Sequence, residues 1–295
     1  MRGGGTVAKL VPSRHEFPVI DDHCHLDRKG AFLKAVGEFH GAGGTHLIVV
    51  HKPDFDALPT TKAAYRDSLE ATCALVDEVN KATPVVAWAA VAPHPVDIVQ
   101  HFTTGMDIQR AEALVLAGVE VAAELVAKGR AVALGEVGRP HFQVAPEILD
   151  AANRVFDRSL AMAKDLGCAV VVHTESTNPE VCLDIATRAR LVGLDPGRVV
   201  KHYSPPLILP HENYGLMPSV LCSRPFCRES AKKGDRFMLE TDYLDDPSRP
   251  GAVMALTTVP KRTYGLLQDG SFSEDLVQKV HEAWPERAYG VDIHV

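Results

Sequence analysis

Short apolar runs alternate with longer amphipathic segments along almost the whole chain. Eight runs have the length of strands, and most are continuous rather than alternating, which is typical of parallel strands buried on both faces. They span residues 17–22, 45–50, 85–91, 131–136, 169–173, 198–202, 219–223 and 236–241. Segments 62–81, 108–128, 146–166 and 178–192 lie between them, and 108–128 repeats apolar residues at helical spacing.

This alternation predicts an α/β protein with the (β/α)8 TIM-barrel fold, which needs about 250 residues. An open doubly wound sheet is the rival fold, but no glycine-rich nucleotide fingerprint follows a strand and opens a helix. We therefore expect residues 1–295 to form a single domain. Residues 1–15 are glycine-rich and polar and predict a flexible N-terminal arm.

Composition and charge narrow the class of protein. The net charge of -7 gives no overall basic field for nucleic acid, although a local basic groove stays open. The six cysteines form no CxxC pair, and no secretory signal precedes them, which predicts a cytoplasmic protein. No apolar stretch approaches the roughly 20 residues of a membrane span. The oligomeric state is left open.

Ionisable residues that can bind metals follow the buried part of five predicted strands. Because side chains alternate along a strand, His23 and His25 face one side and Cys24 the other. In a barrel the carboxyl ends of all strands meet at one face, and a buried ionisable group there is costly without a partner or a metal. The candidate metal ligands are His23, His25, Glu136, His173, His202 and Asp242. Their convergence predicts a metal site.

The same residues resemble the TatD family of metal-dependent hydrolases, which are amidohydrolase-like barrels. The matching strings are Asp21-x-His23-Cys24-His25-Leu26-Asp27, Gly135-Glu136-Val137-Gly138, His173, His202 and Leu239-Glu240-Thr241-Asp242. The resemblance implies two divalent ions: His23, His25, Glu136 and Asp242 hold one, and Glu136, His173 and His202 hold the other. It makes Glu136 the bridging ligand. Zinc is the expected metal, and manganese, iron, cobalt or, less aptly, magnesium are alternatives.

Such a site activates a water, and the implied catalytic residues are Glu136 and Asp242, with Asp242 accepting the proton of that water. We also expect Glu240 and Asp21 to form hydrogen bonds with the metal ligands, since alternation places Asp21 on the side of His23. Lys201 should point away from His202.

Loops that frame the substrate depart from the family pattern. Arg139-Pro140-His141 stands where a leucine–aspartate pair is usual, and Tyr203-Ser204-Pro205-Pro206 replaces the usual turn after His202. His94, in a histidine–proline turn, matches the family. The candidate substrate contacts are His94, Arg139, His141 and Tyr203. Arg139 has an equal alternative, an ion pair with a nearby acid.

Three functions remain at this point. The first is hydrolysis of an amide, ester or phosphoester bond in a small molecule. The second is a metal-dependent deoxyribonuclease, for which the basic run Arg224, Arg228, Lys232 and Lys233 is the candidate phosphate surface. The third is a metal-binding barrel without catalysis.

Overall fold

The computed structural model describes residues 15–295, so the predicted N-terminal arm lies almost wholly outside the described residues. Its centre is a parallel sheet in the order β8-β7-β6-β5-β4-β3-β2-β1-β9. The strands are β1 (Ile20–His25), β2 (His46–Val50), β3 (Val86–Val91), β4 (Ala133–Gly138), β5 (Ala169–His173), β6 (Val199–Ser204), β7 (Met217–Leu221), β8 (Met238–Glu240) and β9 (Tyr243–Leu244).

The sheet closes on itself between its first and last strands. Only two residues separate β8 from β9, so β9 is the continuation of β8 after a bend. β8 pairs with β7, whereas β9 pairs in parallel with β1. The backbone N–H groups of Asp242 and Asp245 add hydrogen bonds of 3.0 Å to the carbonyls of His23 and His25. The predicted (β/α)8 TIM-barrel fold is confirmed.

All eight predicted strands are present, but several of their ends differ from the prediction. β1 lies three residues later than expected, and β4 and β6 extend two residues further. The strand ladder therefore includes His23, His25, Glu136 and His202, which the apolar runs had placed at or beyond the strand ends. Backbone pairing with neighbouring strands continues past the point where apolar side chains stop.

Helices cover the outside of the barrel, and the four predicted segments lie within two residues of their expected bounds. Local sequence explains their starts: Thr61, Asp107 and Asn178 each accept a hydrogen bond from a first-turn N–H. The helices are α1 (Leu33–Gly41), α2 (Lys62–Ala82), α3 (Asp97–Thr103), α4 (Ile108–Ala127), α5 (Pro146–Leu166), α6 (Pro179–Leu191), α7 (Pro210–Asn213), α8 (Arg224–Lys233), α9 (Thr258–Gln268), α10 (Glu274–Gln278) and α11 (Trp284–Tyr289).

Three clusters of apolar side chains pack against the strands in the described chain. Two of them lie between strands and helices. The third fills the barrel and joins the first residues of β1, β7 and β8 to Tyr289 and Ile293 of the C-terminal segment. The C-terminal segment thus packs against the N-terminal end of the barrel, which leaves the opposite end for a site. Within residues 15–295, no helix is long and apolar enough to cross a membrane.

A buried histidine predicts how the stability of this barrel depends on pH. His281 is inaccessible to solvent, contacts Thr263 and Ile20, and burial lowers its pKa to about 3. In the unfolded chain its pKa is about 6.5, so below that pH the unfolded state gains a proton that the folded state excludes. Between about pH 7 and about pH 5, we expect the wild type to lose about 2 kcal/mol more unfolding free energy than His281→Gln.

Urea unfolding of both proteins at both pH values measures this difference. Equal losses in the two proteins would show that His281 is not the group that couples folding to protonation.

Candidate active site

The two histidines of β1 reach the barrel interior because the strand is irregular. Ile20 belongs to the interior cluster and Cys24 to an outer one, and the register with β2 shifts between Asp21 and Cys24. The additional residue of this bulge turns His23 inward, and His25 follows by alternation. As predicted, Cys24 faces away from the two imidazoles.

Glu136 enters the interior at a similar irregularity in β4. The register with β5 shifts between Gly135 and Val137. Gly135 is required there because a Cβ would lie 2.7 Å from Cβ of Val171. Gly138 has a φ of 132°, and a Cβ on it would meet the carbonyl oxygen of His173 at 2.1 Å. The two glycines let β4 pass close to β5 and place the carboxylate between the histidines.

One group of ligand atoms forms around the β1 histidines. The Nε2 atoms of His23 and His25 are 3.2 Å apart, and Oδ1 of Asp242 lies 3.8 Å and 3.6 Å from them. Glu136 approaches through Oε1 at 3.8 Å from His23 and Oε2 at 3.7 Å from His25. All four side chains are mostly buried. These are the four residues of the first predicted ligand set.

A second group forms around Oε1 of Glu136. This oxygen lies 3.0 Å from Nδ1 of His173 and 3.2 Å from Nε2 of His202. The other ring nitrogen of His202, Nδ1, is hydrogen-bonded to Oε1 of Glu240 at 3.2 Å. The hydrogen bond expected of Glu240 is therefore present, and it orients the His202 ring with Nε2 toward Glu136.

Hydrogen bonds and burial leave these imidazoles ready to bind a cation. Nδ1 of His25 donates to the Val50 carbonyl at 3.1 Å, which leaves its Nε2 lone pair free toward His23. Burial lowers the pKa of His23 to about 4 and that of His202 well below its usual value, so both rings are neutral at pH 7. Burial opposes ionisation of Glu136, but its contacts with the His202 and His23 rings and the hydrogen bond that it accepts from Nδ1 of His173 hold its pKa well below the usual range.

The separations of these atoms fit metal ligands. Two ligand atoms at about 2.1 Å from one ion lie about 3.0–3.6 Å apart for bond angles of about 90–120°. The contacts of 3.0–3.2 Å fall in this range, and those of 3.6–3.8 Å lie at or just beyond its upper end. Without a metal, Nε2–H of His23 can donate to the Nε2 lone pair of His25, and a bound cation would take the place of that proton. The residues present therefore fit a divalent metal.

A cavity of about 1080 Å³ opens above the cluster. His25, Glu136, His173, His202 and Asp242 line it at the cluster. Other parts of its lining come from α2 and from residues that follow β1, β2, β4 and β9, and they include Phe55 and Phe142. This volume is at the upper end of the size that small-molecule sites have.

His94 and His141, two of the four candidate substrate contacts, line this cavity. Nε2 of His94 lies 3.9 Å from Oε2 of Glu136. His94, Glu136 and His173 lie close enough together to hold a metal ion. However, Nδ1 of His94 accepts a hydrogen bond from the Val96 N–H at 3.1 Å. The ring proton is then on Nε2, which makes His94 a hydrogen-bond donor toward the cavity rather than a ligand.

Arg139 and Tyr203 lie elsewhere. The Arg139 guanidinium is buried and forms ion pairs with Glu175 at 2.8 Å and Asp184 at 2.6 Å, so the alternative of an acidic partner is the one observed. Among the described residues, Tyr203 is not part of the cavity lining, and half of its surface is exposed. Its backbone N–H donates to Glu240. The structure thus brings neither side chain to the cavity.

The alternation of side chains along β1 predicted the wrong side of the strand for Asp21. Its carboxylate nevertheless accepts a hydrogen bond from the backbone N–H of His23. It also accepts from the backbone N–H and the hydroxyl of Thr241, and so ties β1 to the end of β8. The bulge instead turns Asp22 inward, toward Ser219 and Tyr289. Burial raises the pKa of Asp22 to about 7, against the effect of these two neighbours. Nothing in the sequence separates Asp21 from Asp22, so this polar layer was not predicted.

Lys201 lies away from the cluster, as expected, with Nζ donating to the His202 carbonyl at 2.6 Å. The candidate phosphate surface is partly neutralised: Arg228 pairs with Asp269, and Lys233 pairs with Glu212 and Glu229. None of the four residues of that basic run lines the cavity of the described chain.

Comparison with known proteins shows the family of this chain. A family model described as TatD related DNase matches residues 20–290. The chain belongs to the TatD family. It is also 36% identical over 281 residues to an uncharacterised protein of Methanocaldococcus jannaschii, covering 94% of this chain and 98% of that protein. This TatD-family chain is a metal-dependent hydrolase.

Solved structures with low sequence identity share the fold. A TatD homologue from Escherichia coli K12 has a TM-score of 0.63 at 17% identity, with 92% of this chain and 98% of that chain covered. A phosphotriesterase homology protein from Escherichia coli, with phosphate in its active site, has a TM-score of 0.62 at 13% identity, with the same coverage.

Proposed function

We propose that this TatD-family protein binds two divalent ions and hydrolyses an amide, ester or phosphoester bond of a small molecule. The observation that carries the proposal is the pair of ligand groups sharing Glu136. His23, His25, Glu136 and Asp242 would hold one ion, and Glu136, His173 and His202 the other. Mixed imidazole and carboxylate donors favour zinc, with manganese, iron, cobalt and magnesium as alternatives.

Bound divalent ions would acidify a water and polarise the oxygen of the scissile group. The protein side chains supply the remaining chemistry. The Asp242 side chain is 19% exposed and lines the cavity, so its carboxylate can take a proton from the attacking water and return it to the leaving group. Glu136 is buried beneath the cavity and stays ionised, which suits a bridging ligand rather than a proton acceptor.

His94 would bind the substrate. Its Nε2–H points into the cavity, and burial lowers its pKa to about 3, so the ring donates a hydrogen bond without carrying a charge. A neutral donor beside Glu136 can stabilise negative charge that develops on the substrate oxygen.

Replacing His94 by Ala should lower kcat/KM by about 10²-fold, since the loss of one such donor costs about 10²–10³-fold. The metal content should remain that of the wild type, because Nε2 of His94 carries a proton. His94→Gln keeps an N–H donor of similar reach and should recover much of the activity. Loss of one ion per chain in His94→Ala would instead identify His94 as a ligand.

Free cations are scarce around the cavity, which favours a small molecule over DNA. Four cations line the cavity in the described chain, and three of them are paired: Lys52 with Asp27 at 2.7 Å, Arg249 with Asp246, and Arg28 with Glu78. The fourth, Lys29, forms no ion pair among the described residues. Nuclease binding depends on phosphate contacts from clustered cations. We therefore retain the deoxyribonuclease only as an outcome of the activity test.

Elemental analysis of the gently purified protein, followed by a hydrolase panel, tests the proposal. The panel should contain lactones, esters, amides, phosphoesters and single-stranded DNA. About two ions per chain and cleavage of a small molecule would support it. DNA cleavage alone would establish the nuclease, and metal binding without any cleavage would favour a barrel that has lost catalysis. Absence of metal, with none taken up from added divalent ions, would refute the proposed site.

A further inference from the structure

The segment from Gly138 to His141 crosses directly over the end of β5. The backbone N–H of Arg139 donates to the His173 carbonyl at 3.0 Å, and the left-handed φ of Gly138 permits this close approach. Pro140 then fixes one backbone dihedral of the loop. The four residues Gly-Arg-Pro-His therefore place the His141 side chain above His173.

Arg139 holds this segment in place. Its Nε and Nη2 atoms bind the two oxygens of Glu175 at 2.8 Å each, and Nη1 binds Asp184 at 2.6 Å. Glu175 lies two residues after His173, and Asp184 is on α6. A bidentate arginine pair has a defined orientation, so Arg139 fastens the loop after β4 to the loop after β5. The position of His141 relative to His173 is set by this clamp.

The contact between the two imidazoles is a hydrogen bond. Nδ1 of His141 and Nε2 of His173 are 2.8 Å apart, which is a normal hydrogen-bond distance. Two nitrogens bound to one ion would lie about 3.0–3.6 Å apart, so a shared ion fits this contact poorly. The other nitrogen of His173, Nδ1, faces Oε1 of Glu136 at 3.0 Å. Without a metal, Nδ1 of His173 donates to Oε1 of Glu136, because a carboxylate oxygen only accepts. An ion bound between these two atoms would displace that proton, and the ring would then carry its proton on Nε2, where Nδ1 of His141 can accept it.

We infer that His141 is a positioning residue for the metal-bound site: it accepts a hydrogen bond from Nε2–H of His173 and so keeps the Nδ1 lone pair of that ring directed to an ion beside Glu136. The inference rests on the proposed function, in which His173 is a ligand of the second ion. It assigns His141 a role other than direct substrate contact. Outer partners of this kind fix the tautomer and the ring orientation of a ligating histidine, and their loss costs about 10–100-fold in metal affinity.

Zinc titration of the metal-depleted full-length chain against a chelating dye tests the inference in three proteins. In His141→Leu, one of the two zinc ions should bind about 10–100-fold more weakly, while the other keeps its affinity. His141→Asn offers an amide oxygen near the position of Nδ1 and should restore most of the affinity. Gln143→Ala changes an exposed residue of the same loop and serves as the matched control.

A second measurement reads the tautomer directly. In zinc-loaded wild-type protein, ¹⁵N NMR of the histidine rings should show His173 protonated at Nε2, and this signal should broaden or shift in His141→Leu but less in His141→Asn. Circular dichroism confirms that each variant is folded.

The outcomes separate the inference from the proposed function. Absence of zinc binding in the wild type would overturn both. Two zinc ions of unchanged affinity in folded His141→Leu would overturn the inference and leave the proposed function intact. Three ions in the wild type, of which His141→Leu and His141→Asn both lose one, would make His141 a ligand and also overturn the inference.

Discussion

Glu136→Gln should bind neither ion stably and should lose at least about 10⁴-fold in kcat/KM, because metal ions supply several kcal/mol of transition-state stabilisation. The expected effect is large because one carboxylate serves both ligand groups. Its Oε1 faces His173 and His202 at 3.0 Å and 3.2 Å, and its Oε2 faces His25 at 3.7 Å. A neutral amide can present only one oxygen, and its NH₂ group would face imidazole nitrogens.

Metal content and kcat/KM on the substrate that the panel identifies measure this effect. Asp97→Asn is the control, since this carboxyl is also buried but bonds to Tyr65 outside the cluster, and it should keep both ions. Glu136→Gln that retains two tightly bound ions would exclude a bridging role for this residue.

Asp242→Asn should lower kcat by about 10²–10⁴-fold, the usual contribution of a general base, with a smaller change in metal content. Asn has nearly the same shape and tolerates the left-handed backbone, which matters because Asp242 has a φ of 51°. Its amide oxygen can still face His25, from which Oδ1 of Asp242 is 3.6 Å away, but it cannot accept a proton at neutral pH. The backbone bond to the His23 carbonyl is unaffected by the change.

Asp246→Asn is the matched control, because Asp246 also lines the cavity but bonds to Ser248 and Arg249. It should retain near-normal kcat. Full activity of Asp242→Asn with metal bound would disprove the proton-transfer role. A fall in activity that only tracks the loss of one ion would reduce Asp242 to a ligand.

Secondary structure was predictable because its signals are local. The segment beginning at Pro146 and ending before Gly167 combines a helix-starting proline, an amphipathic pattern and a left-handed glycine, and α5 has these bounds. The apolar runs of β2 and β5 also have clear ends in the sequence. β1 was displaced because its polar residues Asp21–His25 carry no apolar signal, although neighbouring strands pair with them.

Contacts between distant loops could not be predicted in the same way. Arg139 had two equally weighted partners from sequence, a substrate anion or an acid, and 36 and 45 residues separate it from Glu175 and Asp184. The tautomer of His94 depends on a backbone N–H in its own turn. The role of His141 depends on the path of a loop over β5. The residue types alone do not specify these contacts or ring orientations.

The sequence by itself determined that the chain forms a barrel and which residue types meet at the carboxyl ends of its strands. Helical periodicity, buried strands and parallel connectivity suffice for that, since a closed barrel brings every strand end to one face. Only the tertiary structure decided which nitrogen of each histidine faces the cluster and that the bulge of β1 turns Asp22 rather than Asp21 inward. The reason is that hydrogen bonds to residues on other strands select a bulge or a ring orientation. Those hydrogen bonds form only when the strands pack together.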